Sequence, residues 1–404
     1  MRKLLAPLVV LGFVIATVGV AAAASTPGVT KDEIKLGITY PDLDAIRNVT
    51  DISHGDYKTT YNAVIDELNK NGGVDGRKIV PVFAPINPIG TAPAQEACLK
   101  LTEDEKVFAT VGFFYFDSPL CYVSQHDTPI LGGTMDPTYL KQAKAPWMTL
   151  DSGPEVTPRA IDALVKSGAL KGKIGVVAAA TEEKNLLDAA VLPSLKRNGI
   201  KNTVAIIDAP LNDTVAATQQ AGTIAEKFKS DGIKTVLLVG ATPSVFSNAL
   251  KNSDYRPKLV GTPFSTFQGA AINKATDPAI WKGSVTADIA ADFNDPSLQK
   301  CYDTVEKATG KTIVEHPQPG APDYQASASA ACRYISLFSQ LAGAAGKDPT
   351  VAGFGKAAAK LGSVTLPGLG AIKYDPKTHT WAQPLWTYKY DPTTQQLVKD
   401  KKVG

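Results

Sequence analysis

Short β-branched runs alternate with amphipathic stretches of helical period along most of this 404-residue chain, and that rhythm restricts the fold more than any other feature. Strands are expected at 34–40, 79–84, 107–112 and 129–132, with helices at 54–71, 94–103 and 118–126 between them. Over 54–71, Tyr57, Tyr61, Val64, Ile65 and Leu68 recur on one face, as a half-buried helix requires. Asn71, Gly72 and Gly73 then stop it, because glycine takes the left-handed conformation of a helix exit. Strand, helix, strand in this order implies parallel pairing through right-handed crossovers. The pattern restarts after residue 150, with helices at 157–168, 185–198, 214–231 and 244–252 and strands at 173–179, 204–208, 235–239 and 258–261. After Val285 come helices at 296–309, 324–345 and 349–361 and a β segment at 371–390. The expected fold class is α/β, with two Rossmann-like open parallel-sheet lobes.

The amino terminus reads as an export signal. Arg2 and Lys3 precede an uncharged stretch, 4–24, that ends in Ala22, Ala23 and Ala24; charged start, apolar middle and small-residue exit predict a signal peptide over 1–24. An uncleaved anchor is the alternative, since a bilayer needs ~20 apolar residues. No cysteine stands near the cut, so no lipid anchor is expected, and the mature chain belongs in the periplasm, cell envelope or exterior. Without Arg2 and Lys3 the chain carries 40 Lys and Arg against 39 Asp and Glu. That near-neutral balance gives no support to a nucleic-acid partner. Export also makes the even set Cys98, Cys121, Cys301 and Cys332 read as disulfides. Three pairings exist; Cys98 with Cys121 and Cys301 with Cys332 is preferred, since each closes a short loop between neighbouring elements.

Catalytic and cofactor signals are missing. No Gly-x-Ser-x-Gly elbow follows a strand, no Gly-x-Gly-x-x-Gly follows the first strand, and no Cys-x-x-Cys occurs; no enzyme activity, cofactor or metal is expected. Gly310-Lys311-Thr312 ends like a phosphate loop, but Val305 stands where glycine is needed. In open parallel sheets ligands bind beyond the carboxyl ends of strands, which here are the loops 40–44, 113–118, 132–136, 180–184, 241–244 and 262–267. The run Phe113, Phe114, Tyr115, Phe116, Asp117, Ser118 is the most informative. Successive residues of an extended chain face opposite sides, so some of the four rings face a cleft. Asp117 or Ser118 either caps the following helix or touches ligand.

Ile34-Lys-Leu-Gly-Ile, the run 63–79 (Ala-Val-Ile-Asp-Glu-Leu-Asn-Lys-Asn-Gly-Gly-Val-Asp-Gly-Arg-Lys-Ile), Val111-Gly112, Thr128-Pro-Ile-Leu-Gly-Gly133 and Tyr255-Arg-Pro-Lys-Leu-Val-Gly261 together resemble the branched-chain amino acid receptor family of ABC importers, with the type I periplasmic-binding-protein fold. The resemblance implies two lobes joined by three hinge crossings, 30–150 plus 286–383 and 151–285 plus 384–404. It implies a monomer that traps a small solute and delivers it to a membrane permease. The ligand carboxylate would meet Ser118, Gly133 and Thr134, with Thr242, Phe264 and Ser265 on the second lobe and Tyr40, Tyr115 and Phe116 at the rim. Family members that bind α-amino acids place an acidic residue after the strand ending at Gly261, whereas here Thr262, Pro263, Phe264 and Ser265 follow. Either Asp42, Asp117 or Glu182 meets the ammonium, or the solute is an apolar or aromatic carboxylate, because a buried unpaired ammonium costs several kcal/mol. An exported sensor of the same fold, acting on a membrane signalling protein, is the alternative function.

Overall fold

Helix Tyr57–Lys70 shows how the sequence builds the first lobe. Asp56 accepts the N–H of Thr59 at 3.1 Å and caps the helix. Tyr57, Tyr61 and Ile65 follow at intervals of four and are buried, each such side chain contributing roughly 1.5–3 kcal/mol. The exit is at Asn71, where the N–H of Gly73 returns to Leu68 O at 3.0 Å. The structure, a computed structural model, describes residues 26–48, 52–134, 137–150, 156–180, 183–273, 277–315 and 321–403. The expected leader over 1–24 and Glu182 lie outside these residues.

The strands in chain order are β1 (Glu33–Pro41), β2 (Lys78–Ile86), β3 (Ala109–Gly112), β4 (Ile130–Gly132), β5 (Trp147–Leu150), β6 (Lys173–Ala179), β7 (Lys201–Ile207), β8 (Thr235–Val239), β9 (Lys258–Thr262), β10 (Val285–Ile289), β11 (Ser363–Leu366), β12 (Gly370–Asp375), β13 (Thr380–Trp381), β14 (Leu385–Asp391) and β15 (Gln396–Val403). They form two sheets, ordered β11-β12-β13-β5-β4-β3-β1-β2 and β15-β14-β10-β9-β8-β6-β7. β1 to β5 are mutually parallel, as are β6 to β10. Antiparallel β11–β12 and β14–β15 pairs extend the outer edges. Apolar clusters lie on both faces of each sheet, under the flanking helices. The fold is the expected two-lobe α/β class, and the chain passes between the sheets three times: after β5, after β10 and after β13.

Two boundaries differ from the sequence reading. The second crossing does not begin at Thr286. β10 runs to Ile289 and pairs with β9 and β14, the Thr286 hydroxyl donates to Gly261 O at 2.7 Å, and Val285 and Ala287 complete the core of the second sheet. The single β segment expected at 371–390 is divided between the sheets. β12 and β13 stay in the first and β14 joins the second, with the break around Pro384. Both preferred disulfides are present: Cys98–Cys121 with Cα atoms 6.3 Å apart and Cys301–Cys332 at 6.2 Å.

Candidate functional site

At the carboxyl ends of β1, β3 and β4 the backbones approach too closely for side chains. A Cβ on Gly112 (φ 123°) would lie 2.0 Å from Thr39 O, and one on Gly132 (φ 134°) 2.1 Å from Gly112 O; only glycine fits. From there the chain turns out as Phe113, Phe114 and Tyr115 and as Gly133 and Thr134, which line a cavity of about 770 Å³. Its floor is pinned from β5: the Thr149 hydroxyl donates to Gly133 O at 2.8 Å and Trp147 Nε1 to Gly132 O at 3.0 Å.

The opposite wall comes from the second sheet. Beyond β9, the Phe264 N–H donates to Asp288 Oδ2 at 2.7 Å, and the Phe264 ring lies 4.3 Å from that of Tyr388 on β14. Burial raises the Asp288 carboxyl above its ordinary pKa, against the pull of the Phe264 and Ile289 N–H groups. Lys399 on β15 donates to Ala291 O at 2.6 Å, pairs with Glu315 and sits 5.2 Å from the Trp386 ring centre.

Helix Tyr324–Ala345 supplies the third wall, exposing Gln325, Ala326, Ser329, Ala330, Arg333 and Tyr334 to the cavity at intervals of three and four. Asp323 caps this helix by accepting the Ala326 N–H at 3.2 Å, and the hydroxyls of Ser329 and Tyr302 hydrogen-bond at 2.7 Å. Arg333 is the only charged residue in the 22-residue helix. Its Nε is sealed from solvent without a hydrogen-bond partner, while the side chain as a whole stays partly open to the cavity. Among the described residues it forms no hydrogen bond or ion pair. Burial pulls its pKa below the ordinary value, opposed by the Tyr302 and Tyr334 phenols, and burial pushes the Tyr334 phenol up to about 12.

Of the residues expected from sequence, Tyr115, Gly133, Thr134 and Phe264 come together around this cavity. The other described ones do not line it. The Tyr40 ring stacks on Tyr57 at 5.2 Å, and Asp42 accepts the Ala45 N–H at 3.2 Å. Phe116 is 57% exposed at φ 56°. Asp117 starts the short helix Ser118–Leu120 without a side-chain cap, its ψ of 4° being far from the extended value that aims a cap at the first N–H groups. Ser118 is buried with its hydroxyl unpartnered, Thr242 is buried and donates to Val239 O at 2.8 Å, and Ser265 is exposed at the start of helix Phe264–Ala271. Sequence reasoning missed Arg333, Tyr334, Tyr388, Lys399 and Asp288. Cys98, Cys121 and His126 cluster, but the disulfide leaves no thiolate for a metal.

A search of curated proteins found no match by sequence. Solved structures share the fold. A leucine-bound ABC transporter substrate-binding protein from Desulfitobacterium hafniense has a TM-score of 0.65 at 13% identity, covering 91% of this chain and 100% of its own. A fatty acid ABC transporter substrate-binding protein from Thermomonospora curvata scores 0.59 at 15% identity, over 93% of each chain. A solute-binding protein of an ABC transporter from Rhodopseudomonas palustris, in complex with 3,4-dihydroxybenzoic acid, scores 0.58 at 14% identity, covering 92% and 97%. The sequence profile described as periplasmic binding protein matches residues 33–396. Two parallel-sheet lobes with a cavity at the carboxyl ends of their strands agree with that match, and the chain belongs to the periplasmic binding protein family.

Proposed function

We propose that this protein is the receptor of an ABC importer, capturing a small organic carboxylate between its lobes and handing it to a membrane permease with no bond made or broken. Family membership implies an extracytoplasmic location, a small-molecule ligand and an ABC permease as partner. No helix among the described residues is long and apolar enough to cross a membrane. In this reading residues 1–24 are removed on export, and Tyr115, Gly133, Thr134 and Phe264 touch the solute. The observation that carries it is the cavity of about 770 Å³, walled by both sheets and lined by Phe113, Phe114, Tyr115, Phe264, Tyr334 and Tyr388. Six rings around few charges favour an apolar or aromatic body over a sugar or a polyvalent ion. The leucine, fatty acid and dihydroxybenzoate named for the similar structures are each a carboxylate on such a body.

Mass spectrometry of the small molecule that co-purifies under native conditions, followed by calorimetry, tests the reading. An apolar or aromatic acid is expected. Tight binding of leucine, isoleucine or valine in its place returns the protein to the branched-chain amino acid receptors. Turnover of an ester or amide panel overturns the receptor reading altogether.

A further inference from the structure

We infer that Arg333 is the anion anchor of the cleft, and that the solute is a monocarboxylate whose apolar body carries no ammonium beside the acid group. The inference deepens the receptor reading and rests on it.

The charges around the cavity are unequal in what they have left to offer. Lys399 is engaged by Glu315 and Ala291 O, and Asp323 is engaged in capping its helix. Arg333 has neither hydrogen bond nor ion pair among the described residues, and the helix that carries it holds no other charge. A guanidinium stays protonated at neutral pH, and once a solute displaces the water of this cavity the Arg333 charge needs an anion as its partner. The rest of the guanidinium lines the cavity, and its forked, planar N–H donors match a carboxylate bidentately. Two contacts brace the position: the Cys301–Cys332 disulfide joins the helix one residue before Arg333, and Tyr302 holds Ser329 one turn away.

The same helix argues against an α-amino acid. The acid and ammonium of such a ligand share one carbon, whereas Asp323 precedes Arg333 by ten residues, about 15 Å of helix rise. One ligand cannot place both groups there, and Lys399 already neutralises Glu315. Around the anchor stand Phe113, Tyr115, Phe264, Tyr334 and Tyr388, an apolar enclosure for the rest of the molecule.

Calorimetry with benzoate, phenylacetate and octanoate, their three amides, and leucine and phenylalanine tests this on the wild type and on Arg333→Met, which keeps an unbranched stem as far as the position of Nε and removes the charge. A carboxylate should bind the wild type and bind Arg333→Met about a hundredfold more weakly. The ligand-free variant should melt at the wild-type temperature or above, since it loses only an uncompensated cation. Retained carboxylate affinity in Arg333→Met, or a clearly lower melting temperature showing that the guanidinium supports the fold, overturns the anchor. Amides that bind as well as their acids overturn it too while leaving a receptor. Amino acids bound more tightly than the simple acids remove the exclusion of an ammonium. A wild type that binds no compound of any charge counts against the receptor reading and against the anchor with it.

Discussion

Glu183 is buried, and its carboxylate accepts the N–H of Ala179 at 3.0 Å and of Ala241 at 2.8 Å, tying together the loops that follow β6 and β8. The sequence pointed to this loop and to its acidic character through Glu182, which lies outside the described residues. Arg333 was legible in principle: one charge in 22 residues of alanine, serine and apolar side chains is expensive unless something answers it. What was not legible is that the stripe faces a cavity, because its opposite wall comes from residues 264 and 388. Asp288 gives the prediction at this scale. Its folded pKa is raised by burial, so its contribution to stability is full below the ordinary carboxyl pKa and is lost as pH rises through the raised value. Asp288→Asn keeps an acceptor for the Phe264 N–H and removes the charge. Urea unfolding of both proteins at about pH 3.5 and about pH 7 should show wild type losing ground to the variant at the higher pH. A difference constant across the two, or moving the other way, would contradict the buried-charge account.

Among the elements, the central parallel strands were readable because burial on both faces makes them near-continuous apolar runs, as in Lys173–Ala179, where six of seven residues are buried. β5 was not: its four residues are too few to show a period, and it exists because β4 and β13 offer it an edge on either side. The disulfides act at this scale. Cys301–Cys332 spans 31 residues and joins helix Pro296–Thr309 to helix Tyr324–Ala345, and Cys98–Cys121 spans 23 and ties helix Ala92–Leu99 to the segment after Ser118. Loops of this size correspond to about 3–4 kcal/mol each through the unfolded chain. Replacing either pair by serine should lower stability by that amount in urea titrations. Cys301→Ser with Cys332→Ser should also weaken solute binding, because Arg333 and the Tyr302–Ser329 contact ride on the helix pair that this bridge joins. Loss of stability with unchanged affinity would separate the bridge from the site.

At the scale of the whole molecule, three passages of chain link the two sheets, and the Glu315–Lys399 ion pair reaches from the segment behind helix Pro296–Thr309, packed on the first sheet, to β15 of the second. Contacts that persist whether or not a solute is bound cannot drive closure; only a ligand touching both walls favours the shut form, by its difference in affinity for the two states. The cavity has that property, since Tyr115, Thr134 and Arg333 approach from one side and Phe264 and Tyr388 from the other. Moving an equilibrium from almost wholly open to almost wholly closed needs a preference of about 10⁴ for the closed state, which a carboxylate bound to Arg333 with its apolar body against Phe264 and Tyr388 can supply by desolvation of both. A compact globule of about 380 residues has a radius of gyration near 21 Å. Small-angle scattering of the mature chain should give a larger value without solute and a shift toward that figure when a calorimetrically verified acid is added. The shift should be absent when the same acid is added to Arg333→Met at a concentration that saturates the wild type. A wild type that binds its acid tightly yet scatters identically with and without it would mean that the lobes are already fixed around the site, and that the permease must recognise something other than closure.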